Sequence, residues 1–580
     1  MPHTPAAVGR AEPIAPREWL LLAAIVAAGV LLRGYAVAHS GVEHFDEGVY
    51  ASNVYFGQPS FAYPQRNMYA PPLLPWLIEA GMLIGLSPNL AAVLPGFLAG
   101  CGTIVALWWF GRSWFGPAAG LSAAVLCAFS QYHIAYSAAA LTDVLLGLWI
   151  VLAVDAMARS LANADFRWAI GAGLYTGLAW WTKYNGWLPL AMEGGAIPLL
   201  YLLVQPDRKR LLGWLGCFAV TVIVALIAWS PFYLSLAPGE YAAITANHAK
   251  AVVGFAGWLD SASRQIAAMG VMEGGGSVVG LGLAFGIDFL FTHETGRKAM
   301  RFAKGGLVLF LLLVAMLTPF VVAGLAGLAG LVIAIGKIYR APKLTERLTR
   351  RAIAVALLAA WWGGLFVATP CYWPFPRLVL PWLVCSWLAW MANAPDAFDE
   401  EKNTVPSPSK RWEYAIGYGL LCVAFVIGNL NLSANDHRVA TGDRRELARI
   451  ASEIQASLAE DQPRAIYVFG EPAMFFQLRA AGEEIVEPIQ TIATTAATMQ
   501  GRPIPTYLVA GPHANRDPRF VAALAAAQVQ WELVRAYPHR PSVLVWLDLY
   551  DPRLPPGSER GDLDEIRLYR LTAREDATEK

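Results

Sequence analysis

Charge is scarce in this chain. Only 15% of its 580 residues are Asp, Glu, Lys or Arg, and the formal net charge is +1. A balanced total without a basic stripe argues against a nucleic-acid partner. Metal and redox spacings are lacking as well. The cysteines Cys101, Cys127, Cys217, Cys371, Cys385 and Cys422 fall in or beside apolar runs with no CxxC or ligand pattern, so they read as small core residues. No small-residue cleavage site follows the first apolar stretch, which therefore reads as a retained helix rather than a removable signal peptide. There is no internal repeat of the kind that marks many transporters.

What is abundant is apolar surface. Hydrophobic residues make up 56% of the chain, 22 of them Trp, and the mean hydropathy is +0.43. That composition describes a polytopic α-helical membrane protein. Arg10 and Arg17 precede an apolar stretch from Trp19 to Ala38, roughly twenty residues and enough to cross a bilayer core of ~30 Å. Further spans are expected near 88–110, 116–134, 137–157, 167–183, 185–204, 211–235, 267–292, 305–338, 351–369, 376–394 and 412–431. The 305–338 stretch is too long for one helix, at ~50 Å, and reads as a hairpin turning near Thr318-Pro319.

Basic residues then fix the orientation. With the N-terminus inside, Arg112, Arg159 with Arg167, the Asp207–Arg210 cluster, the Arg297–Lys304 cluster and the Lys337–Arg351 loop all fall in the cytoplasm. The count is about 13 transmembrane helices, with the Lys402–Lys410 linker inside and the C-terminal region outside. The first outer loop, about 39–87, the Gln131–Asp143 turn, the Lys183–Gly186 turn, the 237–264 loop and the Pro370–Arg377 turn share the outer face. Charged groups at a membrane edge tend to be functional, because moving them into hydrocarbon is expensive. Caps and headgroup anchors are the plainer reading of any one of them.

The organisation expected is a membrane domain over 1–431 and a soluble domain over 432–580. Past Asn431 the apolar runs shorten. Arg438–Asp461 has helical periodicity, and Ala465–Phe469 reads as a buried strand followed by a helix over Pro472–Ala481. A strand at Thr506–Ala510, a helix at Pro518–Ala527, and strands at Gln530–Ala536 and Ser542–Leu549 complete a small α/β domain with a largely parallel sheet. Gly470-Glu471-Pro472 has neither GxGxxG nor Walker spacing, so no nucleotide site is inferred.

Five motifs run in order along the membrane part: Phe45-Asp46-Glu47-Gly48-Val49-Tyr50, Ala70-Pro71-Pro72-Leu73, Leu141-Thr142-Asp143, Gly177-Leu178-Ala179 with Thr182-Lys183-Tyr184, and Pro376-Arg377-Leu378-Val379-Leu380-Pro381. In this order and layout, over roughly residues 17–395, the chain resembles the GT-C superfamily of glycosyltransferases. The resemblance is to the family that groups protein O-mannosyltransferases with bacterial aminoarabinose transferases. It implies transfer of a sugar from a polyprenyl-phosphate donor to a lipid, glycan or protein acceptor on the outer membrane face. It also implies an integral inner or plasma membrane location with the C-terminal domain extracytoplasmic.

By motif position Asp46 looks like the general base that takes the acceptor hydroxyl proton. Glu47, Asp143 and Tyr50 are expected to position acceptor or donor, and Lys183 and Arg377 to bind the donor phosphate. No metal and no other cofactor is expected, since a lipid monophosphate carries less charge than a diphosphate. His44 lacks companions at metal-binding spacing and is set aside, and His248 and Lys250 read equally as site residues or solvated loop charges. Aminoarabinose transferases carry Lys-Pro where this chain has Ala70-Pro71-Pro72, so the donor sugar stays open. The alternative is a polytopic transporter or lipid flippase, for which Glu79 and Glu273 are the main intramembrane acids. Glu79 itself is expected on an interfacial helix over Pro71–Leu86.

Overall fold

The computed structural model describes residues 14–57, 66–272, 319–341, 344–392, 444–461, 463–489, 504–516, 529–549 and 565–573, with Tyr63, Phe520 and Ala522. Glu273, the rest of the 267–292 span, residues 305–318, the Lys402–Lys410 linker, the 412–431 span and most of the 518–527 helix lie outside these residues.

The chain enters as α1 (Pro16–Ala38) and short α2 (Phe45–Ala51), then α3 (Leu73–Leu83) and α4 (Pro88–Phe115). Next come α5 (Pro117–Phe129), α6 (Gln131–Ser137), α7 (Thr142–Asn163) and α8 (Phe166–Thr182). These are followed by α9 (Leu188–Val204), α10 (Arg208–Ser235), α11 (Glu240–Ala249) and α12 (Trp258–Met272). Helices Pro319–Tyr339, Glu346–Ala368 and Leu380–Met391 complete the described membrane part. Among the described residues five helices are long and apolar enough to cross a membrane, and α5 with α6 would make a sixth, bent by 62°. Leu20 and Leu31 on α1, and Ile227 and Leu234 on α10, point outward from the bundle. Only lipid satisfies such faces, and the chain is an integral membrane protein.

The bend between α5 and α6 has an identifiable support. Breaking a helix inside the membrane strands its last carbonyls, which have no water to turn to. Arg33 of α1, fully buried, supplies the donors. Its Nη2 reaches the Cys127 carbonyl at 2.8 Å and its Nη1 the Ala128 carbonyl at 3.1 Å. Nη2 also lies 2.8 Å from His133 Nδ1. On the far side of the break Ser130 Oγ accepts the His133 amide at 3.1 Å and restarts the helix as α6. The bend turns residues 138–141 back toward the segment between α1 and α3, the expected first outer loop, and delivers the start of α7.

Apart from Arg33 and the buried Glu193 of α9, the charged groups that pair do so at the two ends of the bundle. At the end holding the start of α1, Arg112 bonds Glu18 at 2.7 Å and Arg159 bonds Asp155 at 2.7 Å. At the opposite end stand α2, the start of α7, the end of α8 and the Pro376–Val379 turn. Glu79 on α3 proves to be a local anchor. Its carboxylate accepts the amides of Tyr55, Phe56 and Gly57 at 2.7, 2.8 and 2.6 Å, fastening the first outer loop.

Beyond Arg444 lies a helix, Glu446–Ser457, whose Leu447, Ile450 and Ile454 are buried at helical spacing. The sheet that follows has strands β1 (Ala465–Phe469), β2 (Val486–Ile489), β3 (Thr506–Ala510), β4 (Val529–Pro538) and β5 (Glu565–Ala573), in the order β2-β1-β3-β5-β4. The sheet is mixed rather than largely parallel. β1 runs parallel to β2 and β3, whereas β5, unforeseen in the sequence, inserts antiparallel between β3 and β4.

A second correction concerns Ser542–Leu549, expected as a strand. It is a helix, Val543–Leu549, started by the Trp546 amide donating to the Ser542 carbonyl at 2.8 Å. The alternation of Val543, Val545 and Leu547 imitates a strand. Leu544 and Leu547, three apart, are the side chains that join the main core, and Asp548 follows them on that face.

This C-terminal region packs on the first outer loop. Val42 and Val49 share one apolar core with Met474, Phe475 and Leu447. Gln477 donates to the Val42 carbonyl at 2.8 Å, and the Arg444 amide donates to His39 at 2.9 Å. Gly48 makes this approach possible, since a methyl group there would overlap the backbone of Pro472 and Ala473. Gly48→Ala is therefore expected to lower stability by about 1–3 kcal/mol, as overpacking against backbone does. A reduced melting temperature, with faster proteolysis of the C-terminal region, is the measurement that checks it.

Candidate active site

The site begins with the way α2 is started. His44 is the N-cap: its Nδ1 accepts the Asp46 amide at 3.1 Å, and Glu47 reaches back to the His44 amide at 2.8 Å. This is a capping box built on histidine. It leaves Asp46 in the first turn, where the helix dipole favours a carboxylate. It also fixes the proton of the neutral imidazole on Nε2, since Nδ1 must offer a lone pair.

Glu47 and Asp46, adjacent in sequence, take opposite directions. Glu47 is fully buried, and Oε2 accepts the amides of Glu43 and His44 and an arm of Arg444, while Oε1 accepts the Ala140 amide at 2.8 Å. Arg444 in turn donates to the Ala138 carbonyl at 3.0 Å and lies 3.4 Å from Glu43. One buried acid thus ties the outer loop, the segment before α7 and the C-terminal region together. Burial opposes its ionisation, but Arg444 and the His44 amide hold its carboxyl below the ordinary value of 4.5.

Asp46 turns instead toward Arg377. Its Oδ2 accepts from Arg377 Nη2 at 2.6 Å, and among the described residues nothing hydrogen-bonds to Oδ1. Arg377, carried on the Pro376–Val379 turn, is the hub. Its Nη1 lies 3.3 Å from Asp548 Oδ2, and its Nε 4.0 Å from Asp143 Oδ2. Phe375 stacks beneath it, 4.9 Å from ring centroid to guanidinium carbon. Burial weakens the charge of Arg377, yet Asp46, Asp548 and Asp143 raise its pKa above the ordinary value.

Asp143 occupies the first turn of α7 and is almost fully buried. Its Oδ1 accepts from Lys183 Nζ at 2.6 Å, whereas its buried Oδ2 has no hydrogen-bond partner among the described residues. Lys183 is the cap residue at the end of α8, where a cation suits the helix dipole. The tight turn after it exists because Gly186 lies against the backbone of Ala179 and Trp180. Tyr50, one turn beyond Asp46, is buried close to Asp46, Asp143 and Arg377.

Five of the six residues singled out from the sequence thus converge: Asp46, Tyr50, Asp143, Lys183 and Arg377. Glu47 is beside them but turned away. Two members of the cluster were missed. His44 was set aside as a metal ligand, although its place three residues before Glu47 is a capping signal. Asp548 was read into a strand; a lone acid in the apolar run Val543–Leu549 was its only signal. His44 Nε2 donates to Asp548 Oδ2 at 2.5 Å, so histidine and arginine share one acceptor oxygen. His248 of α11 also approaches: its ring packs edge-on to Tyr184 at 5.4 Å and its Nδ1 lies 3.3 Å from the Tyr372 hydroxyl.

A helical membrane bundle with a carboxylate–guanidinium cluster at one end and a mixed sheet against its first outer loop defines a class. The fold is that of the GT-C glycosyltransferases, as the motif order implied. The structure is similar to that of ArnT from Cupriavidus metallidurans bound to undecaprenyl phosphate, with TM-score 0.53 and 15% identity over 96% of this chain and 98% of that one. It is also similar to the archaeal oligosaccharyltransferase AglB from Archaeoglobus fulgidus in complex with an inhibitory peptide and a dolichol-phosphate, with TM-score 0.50 and 13% identity over 86% of this chain and 69% of that one. More particularly, residues 69–234 match the dolichyl-phosphate-mannose-protein mannosyltransferase family. No curated protein matches the chain.

The clamp at Glu47 predicts an acid limit. Its lowered carboxyl contributes stability that is complete above pH 4.5 and is lost as pH falls through the folded value. Glu47→Gln is expected to cost about 3–5 kcal/mol, as breaking one side of a buried pair does, and to flatten the acid limb. Melting temperatures from pH 3 to about 7 in both proteins check this.

Proposed function

We propose that this protein transfers a sugar from a polyprenyl-phosphate donor to a hydroxyl-bearing acceptor (lipid, glycan or protein) at the extracytoplasmic face, with the N-terminus in the cytoplasm. The observation that carries the reading is the pairing of an open carboxylate oxygen on Asp46 with two cations, Arg377 and Lys183, at one end of a GT-C bundle. The similar structures bound to undecaprenyl phosphate or dolichol-phosphate support a lipid phosphate as the kind of ligand.

The reaction divides between these groups. Asp46 Oδ1 takes the acceptor proton as the acceptor oxygen bonds the anomeric carbon, and the carbon–phosphate oxygen bond breaks. The departing lipid phosphate gains negative charge, which Arg377 and Lys183 stabilise in a water-poor cleft. Arg377 also aims Asp46, because its Nη2 holds Oδ2 and leaves Oδ1 free. Asp143 spaces the two cations, bonding one and facing the other. Tyr50 lines the same cleft as a positioning group, and we assign Glu47 to holding α2 in place. The three acids are met by the cations Arg377 and Lys183, which supports chemistry without a divalent metal.

Asp46→Asn keeps the shape and removes the base. Transfer of labelled sugar from a panel of polyprenyl-phosphate sugars is expected to fall about 10²- to 10⁴-fold at matched folded protein. Undiminished transfer would remove Asp46 from the role. Turnover is expected to survive chelator; a loss that added metal restores would overturn the metal-independent reading.

A further inference from the structure

Resting on the reading of Arg377 as the donor-phosphate cation, we propose that Asp548 is a placeholder for that phosphate. The C-terminal region delivers a carboxylate to Arg377 Nη1, and the lipid phosphate takes its place when the donor binds.

The delivery is built rather than incidental. Just ahead of the Val543–Leu549 helix, the Ser542 amide donates to Glu43 Oε1 at 2.7 Å, seating it on the first outer loop. Leu544 and Leu547 are buried in the main core, so Asp548 on the same face has little choice of direction. Its Oδ2 then receives both His44 Nε2, at 2.5 Å, and Arg377 Nη1, at 3.3 Å. These are the donors a phosphate oxygen would seek in the same cleft.

Charge decides what happens when the donor arrives. Around the cleft stand the carboxylates Asp46, Asp143 and Asp548 against the cations Arg377 and Lys183, with His44 neutral. A lipid phosphodiester added to this set would put four anionic groups against two cations in a poorly hydrated site. Exchanging it for Asp548 leaves the balance as it was. The exchange involves only Nη1: Asp46 stays on Nη2, so the base keeps its aim. His44, released from Asp548, offers its Nε2–H to the incoming phosphate. The C-terminal region thereby gains a role in the reaction cycle, as its contact with the site reports whether donor is present.

The test is equilibrium binding of undecaprenyl phosphate to the purified full chain in nanodiscs. Asp548→Asn, at a melting temperature matching the native protein, is expected to bind about tenfold more tightly, because a competing anion is gone. Asp548→Glu is expected to stay within about twofold of native. Arg377→Gln is expected to lose binding. Should Asp548→Asn bind no better while Arg377→Gln still loses binding, the placeholder is wrong and the donor site stands. Binding indifferent to Arg377→Gln would overturn the donor-site reading and the placeholder with it. A second readout uses the native chain: amide exchange over 543–549 is expected to speed up on adding undecaprenyl phosphate, and unchanged protection would overturn the exchange.

Discussion

A guanidinium removed from water must be met by acids, and the burial of Arg377 organises one end of this protein. Satisfying it takes Asp46 from the first outer loop, Asp143 from the start of α7 and Asp548 from the C-terminal region. No one segment could supply all three. The fold brings each by a different local device: a capping box, the first turn of a membrane helix and a short helix seated on Glu43. Uncompensated, a charge buried there would cost several kcal/mol, so Arg377 keeps its place only with anions around it. The same interdependence makes it a suitable site, because groups held by mutual constraint need little reorganisation when charge develops during reaction.

The membrane imposes the other constraint. Every polar group inside it must find a partner in protein, and Arg33 shows how the chain meets that demand at a break. Placing an arginine in the first span allows α5 to stop and α6 to start at an angle, with the freed carbonyls satisfied. Without that bend, residues 138–141 would continue away from the first outer loop. The Ala140 amide could not reach Glu47, nor the Ala138 carbonyl Arg444. A buried cation outside the Arg377 cluster therefore helps set the position of Asp143.

The membrane class, the shared face of the polar turns and most of the cleft residues were legible in the sequence, because hydropathy and charge placement speak to position relative to the bilayer. Helix ends then supply the geometry: Asp143 at the start of α7 and Lys183 at the end of α8 follow from where the apolar runs stop. What was illegible depends on contacts between distant segments. Glu47 and Asp46 are adjacent acids in the sequence; the Ala140 amide and Arg444, nearly four hundred residues away, turn one into a fastener. The Val543–Leu549 helix was hidden by an alternation suited to a strand, and β5 by the lack of a clear pattern before its antiparallel partner was known. Likewise His44 carries its signal in relation to Glu47, not alone.

Two anions at one arginine have different standing, and the difference follows from how each is held. Asp46 is bound to the bundle through α2, whose first turn is fixed at His44 and whose far side is pinned by Glu47 to Arg444 and Ala140. Moving it would require dismantling the capping box and a fully buried salt bridge. Asp548 is held by a seven-residue helix through one amide to Glu43 and the burial of a few apolar side chains. When a fourth anion joins Asp46, Asp143 and Asp548, the less firmly held carboxylate is the one that yields. A firmly anchored base and a displaceable neighbour on the two arms of Arg377 are therefore different consequences of the same fold, one set in the membrane bundle and one lent by the sheet packed against it.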